Sequence, residues 1–209
     1  LVKAYRMLSA DHILPHINFN LEKHIPSQAG LGGGSSDATY TLRLLNKLCQ
    51  LNLNSATLHQ YAVRLGADCA FFVTATPAFA TGIGDILEPM NAECAHLHGM
   101  YLLIVKPTVA ISTAQAFAFV KPQPTLIKCK DIVAQPVNSE WRNHLTNNFE
   151  VSAFKLHPEM HTIKEQLYNM GALYAQMSGS GSAFFGIFNT PPTLTANHFN
   201  GMFTYLCQL

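Results

Sequence analysis

Residues 25–39 read IPSQAGLGGGSSDAT, and no other stretch restricts the folding of this chain as much. Glycine suits backbone that needs positive φ or must approach something closely, and it loses more freedom on folding than any other residue. A plain helix-capping turn needs one such residue; Gly30, Gly32, Gly33 and Gly34 together mark the backbone itself as the contact surface. Ala38, Leu42, Leu45 and Leu48 follow at helical spacing, and Ser35, Ser36 and Asp37 are expected to supply N-cap chemistry. Amides without side chains, leading into a helix N-terminus, favour an anion through their unpaired N–H groups and the helix dipole. The hydroxyls of Ser35 and Ser36 can add donors or reach a divalent cation.

Two phosphate motifs are excluded. A P-loop needs Lys and then Ser or Thr after its last glycine, whereas Gly34 precedes Ser35 and Ser36. A dinucleotide fingerprint needs a third glycine where Ser35 stands, and an acidic residue about twenty positions on to read the ribose.

The 209 residues suffice for one large domain or two small ones. With 13 basic and 12 acidic residues the net charge is +1, so no global field attracts nucleic acid or an anionic membrane. The five cysteines are odd in number and contain no CxxC pair, which fits a reducing cytosol better than a disulfide framework or a thiolate zinc site. No apolar run reaches membrane-spanning length. The pair His157 and His161 has the i, i+4 spacing of a zinc helix, but no third ligand accompanies it. The chain starts at Leu1 in what reads as mid-helix, so it is expected to be a fragment.

An opening helix is expected to end near Asp11, followed by a half-buried strand in the alternating stretch 17–25. A helix from Ser55 to Leu65 should stop at Gly66. Strand-like pieces follow at Phe71–Val73 and Pro77–Thr81, with Gly82 and Gly84 in a turn. The apolar run 100–107 reads as a buried strand, and a domain boundary just before it divides the chain into 1–97 and 98–209. A short helix should begin at Ser112 or Thr113, and 120–130 reads as a surface loop. The repeat Met160, Ile163, Leu167, Met170 predicts a helix closed by Gly171. Strands at Ala172–Met177 and Ala183–Phe188 should flank Ser178-Gly179-Ser180-Gly181, and a last helix is expected from Leu194 to Leu206. Irregular mixing of helices and strands favours α+β.

The glycine stretch resembles the glycine-serine loop of the GHMP small-molecule kinases. LGADCAFFV (65–73) and MSGSGSAFFGIF (177–188) resemble two further segments of that family, and the likeness runs in order across nearly the whole chain. It is strongest to the branch that phosphorylates a cytidine diphosphate derivative of methylerythritol in non-mevalonate isoprenoid biosynthesis. Kinases acting on homoserine or mevalonate, and a non-catalytic nucleotide-binding relative, are the alternatives.

The resemblance implies a two-domain α+β fold, ribosomal-protein-S5-like at the N-terminal side and ferredoxin-like at the C-terminal side. It also implies transfer of the γ-phosphoryl group of ATP, with Mg2+, to a hydroxyl. Gly30, Leu31, Gly32, Gly33, Gly34, Ser35 and Ser36 would wrap the ATP phosphates, with Ser36 reaching the metal and Lys23 beside the nucleotide. Asp68 would be the catalytic carboxylate. Its neighbours suggest apolar surroundings that raise its pKa towards that of a useful base, although Asp is also a common cap of short helical turns. Thr113, Asn148, Gly179, Ser180 and Gly181 would serve the substrate, although a Gly-Ser cluster also marks plain hairpin turns. Asn147–Glu150 resembles the family's Asn-Asp-Leu/Phe-Glu stretch, with Asn148 in place of Asp. Cys69-Ala70 stands where the family has Val-Pro. The family's P-x-K-I-N-L-type segment, whose Lys partners the catalytic Asp, and its aromatic-His pair that grips cytosine have no counterpart in 1–209. The expected partners are the small-molecule substrate and a second copy in a homodimer, with no nucleic acid or membrane, in the cytoplasm.

Overall fold

The computed structural model describes residues 1–121, 127–195 and 198–209, with Thr113 described by its backbone alone. The chain forms two compact units, Leu1–Ile25 with Gly32–Asn91, and Pro26–Leu31 with Ala92–Leu209.

The first unit is built on three helices, α1 (Val2–Asp11), α2 (Gly33–Leu48) and α3 (Ser55–Leu65). Their apolar stripes converge: Ala4, Leu8, Leu42, Leu45, Leu58, Tyr61 and Ala62 form one buried cluster, closed by Cys69 and Val73. Burying a Leu completely stabilises by about 1.5–3 kcal/mol, and Leu8, Leu42 and Leu45 are each fully buried. Asn54 caps α3 by accepting from the Thr57 amide at 2.9 Å. A two-stranded antiparallel hairpin, β1 (Ala78–Thr81) and β2 (Ile86–Pro89), completes the unit.

Two expectations fail here. Residues 12–32 contain no strand. Leu14, Ile17 and Phe19 do turn inward onto the helical cluster, but no neighbouring strand pairs with them. The alternation therefore reports one-sided burial of extended chain without a ladder. Phe71–Val73 is a 3-10 turn, not a strand; a three-residue apolar run carries no period that separates the two.

The second unit holds a four-stranded antiparallel sheet ordered β4-β5-β3-β6, from β3 (Tyr101–Lys106), β4 (Tyr174–Met177), β5 (Phe184–Phe188) and β6 (Phe203–Gln208). Between β3 and β4 come α4 (Thr113–Phe117), α5 (Cys129–Val133), α6 (Ser139–His144), α7 (Phe149–Leu156) and α8 (Met160–Asn169). This is the strand order of a ferredoxin-like sheet. Alternate residues serve its two faces. Leu103, Val105, Ala175, Met177, Phe184 and Phe188 bury with Met160, Ile163 and Leu167 of α8. Tyr174 and Ile187 bury on the opposite face with Ile132 and Trp141.

Of the last helix expected at Leu194–Leu206, residues 196–197 lie outside the described residues, and Phe203–Leu206 belong to the strand β6. Gly201, at φ +74°, ends the turn that enters it, and Phe203-Thr-Tyr-Leu-Cys is β-prone sequence beside the buried strand β3. Of the loop expected at 120–130, residues 122–126 lie outside the described residues, whereas Cys129 and Lys130 open α5.

Candidate active site

In the first unit the site begins at the start of α2. Gly32 is its N-cap, at φ +65° in the left-handed region, and no side chain caps the helix. Ser35, Ser36 and Asp37 lie inside the helix, so the expected side-chain capping does not occur. The helical ladder begins with the Ser36 amide donating to Gly32 O at 2.8 Å. That start leaves the amides of Gly33, Gly34 and Ser35 outside the ladder, at the positive end of the helix dipole.

The glycines divide by role. Gly32 needs its positive φ, and a Cβ there would come within 2.9 Å of the Phe72 ring. Gly33 and Gly34 are helical, so loop freedom is not what they supply. A Cβ on Gly34 would meet nothing within 4 Å, so the first turn of the helix has open space at this residue. Lys23 Nζ lies 3.6 Å from where a Gly33 Cβ would stand, so an ammonium group flanks the same helix end. Lys23 is paired with the Asp37 carboxylate one turn further into α2, and both side chains are about a third exposed or less. Sequence reading took Asp37 for a cap; its partner is 14 residues upstream, and nothing local signals the pair.

Asp68 sits in a 3-10 turn, Ala67–Cys69. Its neighbours Cys69 and Ala70 are buried, but Asp68 is exposed, so the apolar envelope expected from the flanking sequence is absent. The turn is fastened to α2 by the fully buried Thr39, whose hydroxyl donates to Cys69 O at 2.8 Å. An Asp68 carboxylate oxygen lies 3.8 Å from where a Gly84 Cβ would stand, in the β1–β2 turn.

The second unit contains the front of the glycine loop and the second glycine motif, and it joins them. The Ser178 hydroxyl donates to Gly30 O at 2.8 Å. The amides of Ser182 and Ala183 donate to Gln28 O and Ala29 O at 3.3 and 3.0 Å. Gly30, at φ +70°, has no room for a Cβ because Ser178 O occupies that space, and a Gly179 Cβ would meet Gly30 O at 3.2 Å. These glycines permit backbone to pack on backbone. Leu31 follows, half-buried. In the turn, Gly179 is exposed and Ser180 half-buried, whereas Gly181 is buried beneath Met177 and Ile111.

Two further groups lie around this turn, and local sequence does not reveal their contacts. The Asn147 amide nitrogen donates to Met177 O and Gly179 O at 2.8 and 2.7 Å, and its oxygen accepts from the Phe149 amide at 2.9 Å. Lys106, 7% exposed, donates to Pro107 O at 2.6 Å and Val109 O at 2.8 Å. Burial lowers its pKa from the usual lysine value. Val109 O also accepts from the Ser182 hydroxyl, so Lys106 and the glycine motif share one acceptor. Asn148 is exposed at the start of α7 and makes no capping bond. Thr113 opens α4, and its side chain lies outside the described residues. Phe117 of α4 meets Phe149 of α7 edge-on, with ring centroids 4.8 Å apart.

Among the described residues no group of three or more His, Cys, Asp or Glu could hold a metal ion. Magnesium usually takes one or two protein oxygens together with phosphate oxygens and waters, so a hydroxyl such as that of Ser36 fits and a closed protein cage does not. No helix among the described residues is long and apolar enough to cross a membrane.

Residues 1–76 match the family model described as GHMP kinases N terminal domain, and residues 128–196 match GHMP kinases C terminal. The 4-diphosphocytidyl-2-C-methyl-D-erythritol kinase of Bacteroides fragilis is 46% identical over 208 residues, which is 100% of this chain and 74% of that protein. The protein of the same name from Bacteroides thetaiotaomicron is 49% identical over 193 residues, covering 92% of this chain and 69% of its own length. A crystal structure of 4-(cytidine 5'-diphospho)-2C-methyl-D-erythritol kinase aligns with a TM-score of 0.65 and 31% identity, over 81% of this chain and 61% of that one. The mevalonate kinase of Methanococcus jannaschii gives the same TM-score at 14% identity, over 99% of this chain and 73% of that one, and shares the fold. The chain belongs to the GHMP kinase family.

Proposed function

We propose that the protein phosphorylates a hydroxyl of 4-diphosphocytidyl-2-C-methyl-D-erythritol with ATP and Mg2+, as the names of its relatives suggest. The observation that carries the reading is the start of α2, where the amides of Gly33, Gly34 and Ser35 lie outside the helical ladder and Gly34 faces open space. A bound ATP supplies the phosphoryl group, whose new bond to the acceptor oxygen forms as its bond to the bridging oxygen breaks.

The protein's part is mostly positioning and charge neutralisation. Within Gly30–Ser36 the amides of Gly33, Gly34 and Ser35 would hold the phosphates, with Lys23 as the neighbouring cation. Ser36 would offer its hydroxyl to Mg2+, which would neutralise phosphate charge. Asp68, on a turn pinned by Thr39, takes up the acceptor's proton. Thr113, Asn148, Gly179, Ser180 and Gly181 are the residues we assign to acceptor binding, by the resemblance to the family. A cytoplasmic place of action and a homodimer belong to the same reading, the former supported by five free thiols.

An ADP-release assay tests the acceptor. Turnover with 4-diphosphocytidyl-2-C-methyl-D-erythritol, absent with homoserine or mevalonate, supports the proposal; the reverse preference sinks it. Asp68→Asn should lower kcat at least about a hundredfold, within the range of general-base catalysis, with ATP affinity changed less than about threefold.

A further inference from the structure

The Asn147 side chain uses both of its donors on one turn and its acceptor on the start of α7. Both amide protons go to carbonyl oxygens, of Met177 and Gly179, while its oxygen takes the Phe149 N–H. The orientation is chemically determined, since the opposite flip would set the oxygen against two carbonyl oxygens and the NH2 against an amide donor. Between the two carbonyls it grips lies Ser178, whose hydroxyl holds Gly30 O. Gly30 stands two residues before the N-cap of α2. Asn147 thus holds the turn from which Ser178 reaches Gly30, without touching Gly30 itself.

We propose that Asn147 is a positioning residue for the ATP phosphate loop, acting through the Met177–Gly179 turn and Ser178 on Gly30. The inference rests on the phosphate-loop reading above. Aspartate is the informative replacement. It keeps the shape of Asn147 but offers no donor, and it sets a carboxylate against two carbonyl oxygens. The backbone that Ser178 holds should then lose its fixed place, and the loop's complementarity to phosphates should fall.

The test measures KM for Mg·ATP and for the acceptor, with kcat, in Asn147→Asp, Ser178→Ala and the double variant. Asn147→Asp should raise the KM for ATP about tenfold, the effect of losing one or two hydrogen bonds. Its KM for the acceptor should stay within about twofold. Ser178→Ala should raise the KM for ATP in the same sense, and the double variant should be no worse than the more severe single one. If Asn147→Asp does not yield folded protein, Ser178→Ala alone decides, since it deletes a single oxygen. An unchanged KM for ATP in either folded variant, or additive effects in the double variant, overturns the proposal. Gly34→Asp, assayed in parallel, separates the two levels. If it weakens ATP while Asn147→Asp does not, only the positioning role fails. If it leaves ATP untouched, the phosphate-loop reading and this inference fall together.

Discussion

The Ser178 hydroxyl donates to the carbonyl oxygen of Gly30 at 2.8 Å, joining two glycine-rich segments 148 residues apart. The contact explains why neither segment tolerates side chains at its crossing point, and it separates glycines that serve packing from those that leave open space.

Gly30→Ala and Gly33→Ala should therefore differ sharply. The first places a Cβ on the Ser178 carbonyl at φ +70°, with backbone that cannot swing aside, and should cost more than about 2 kcal/mol. The second puts Ala in the first turn of a helix, where the nearest atom is Ile25 Cγ2 at 3.2 Å. It should change stability by less than about 1 kcal/mol. Urea midpoints of the two variants decide; equal losses would contradict the division of roles.

Glu150 should matter to stability more than an exposed ion pair does. Its carboxylate accepts from Lys164 at 2.8 and 3.1 Å and from the Met177 amide at 3.0 Å, with side chains only 12% and 22% exposed. Asn147 and Glu150 together satisfy the carbonyl and the amide of Met177 at the end of the edge strand β4. Glu150→Ala leaves the Lys164 ammonium without its carboxylate and should cost about 3 kcal/mol. Glu150→Gln, which still accepts from Met177, should cost about half of that. A loss below about 1 kcal/mol for Glu150→Ala, read from denaturant melts, would place the pair among ordinary surface contacts.

Lys106 makes stability depend on pH in a stated direction. Burial lowers its folded-state pKa below the 10.5 of the unfolded chain. Between those two values the unfolded chain holds a proton that the folded chain has released, so stability rises with pH there. Below the window both states are charged and the burial penalty stands in full. Above it both are neutral and the penalty is gone. The stability of the wild type relative to Lys106→Met should accordingly increase as pH climbs towards 10.5. A difference that is flat, or that shrinks over that range, would show that the ammonium is not desolvated.

The sequence made legible what is local and periodic. The helix Ser55–Leu65 has an Asn cap, an inward stripe at Leu58, Tyr61 and Ala62, and a Gly stop, and each is a nearest-neighbour effect. The strand Tyr101–Lys106 announces itself as a continuous apolar run ended by Pro107. β6 stands where the sequence leads one to expect the end of a helix, and only the neighbouring β3 makes the strand worthwhile. The extended segment around Ile17 and Phe19 shows the converse, alternation without a pairing partner. At the site, the glycines are marked by residue type, and Lys23 and Asp68 by the resemblance to the family. The Asp37 partner of Lys23, the Asn147 grip and the Lys106 carbonyl cage depend on tertiary contacts that no local pattern encodes.

The central claim is that the start of α2 receives the phosphates of ATP, and Gly34→Asp tests it most directly. Nothing lies within 4 Å of a Cβ at this helical position, so the side chain fits. A carboxylate near a helix N-terminus adds about 0.3–1 kcal/mol of stability. The same charge would stand beside the phosphates, where repulsion of even a few kcal/mol is expected at protein-surface dielectric. The account predicts a melting temperature equal to or above that of the wild type, with the Kd for Mg·ATP by titration calorimetry raised at least about tenfold. An unchanged Kd in a variant that folds normally would contradict it.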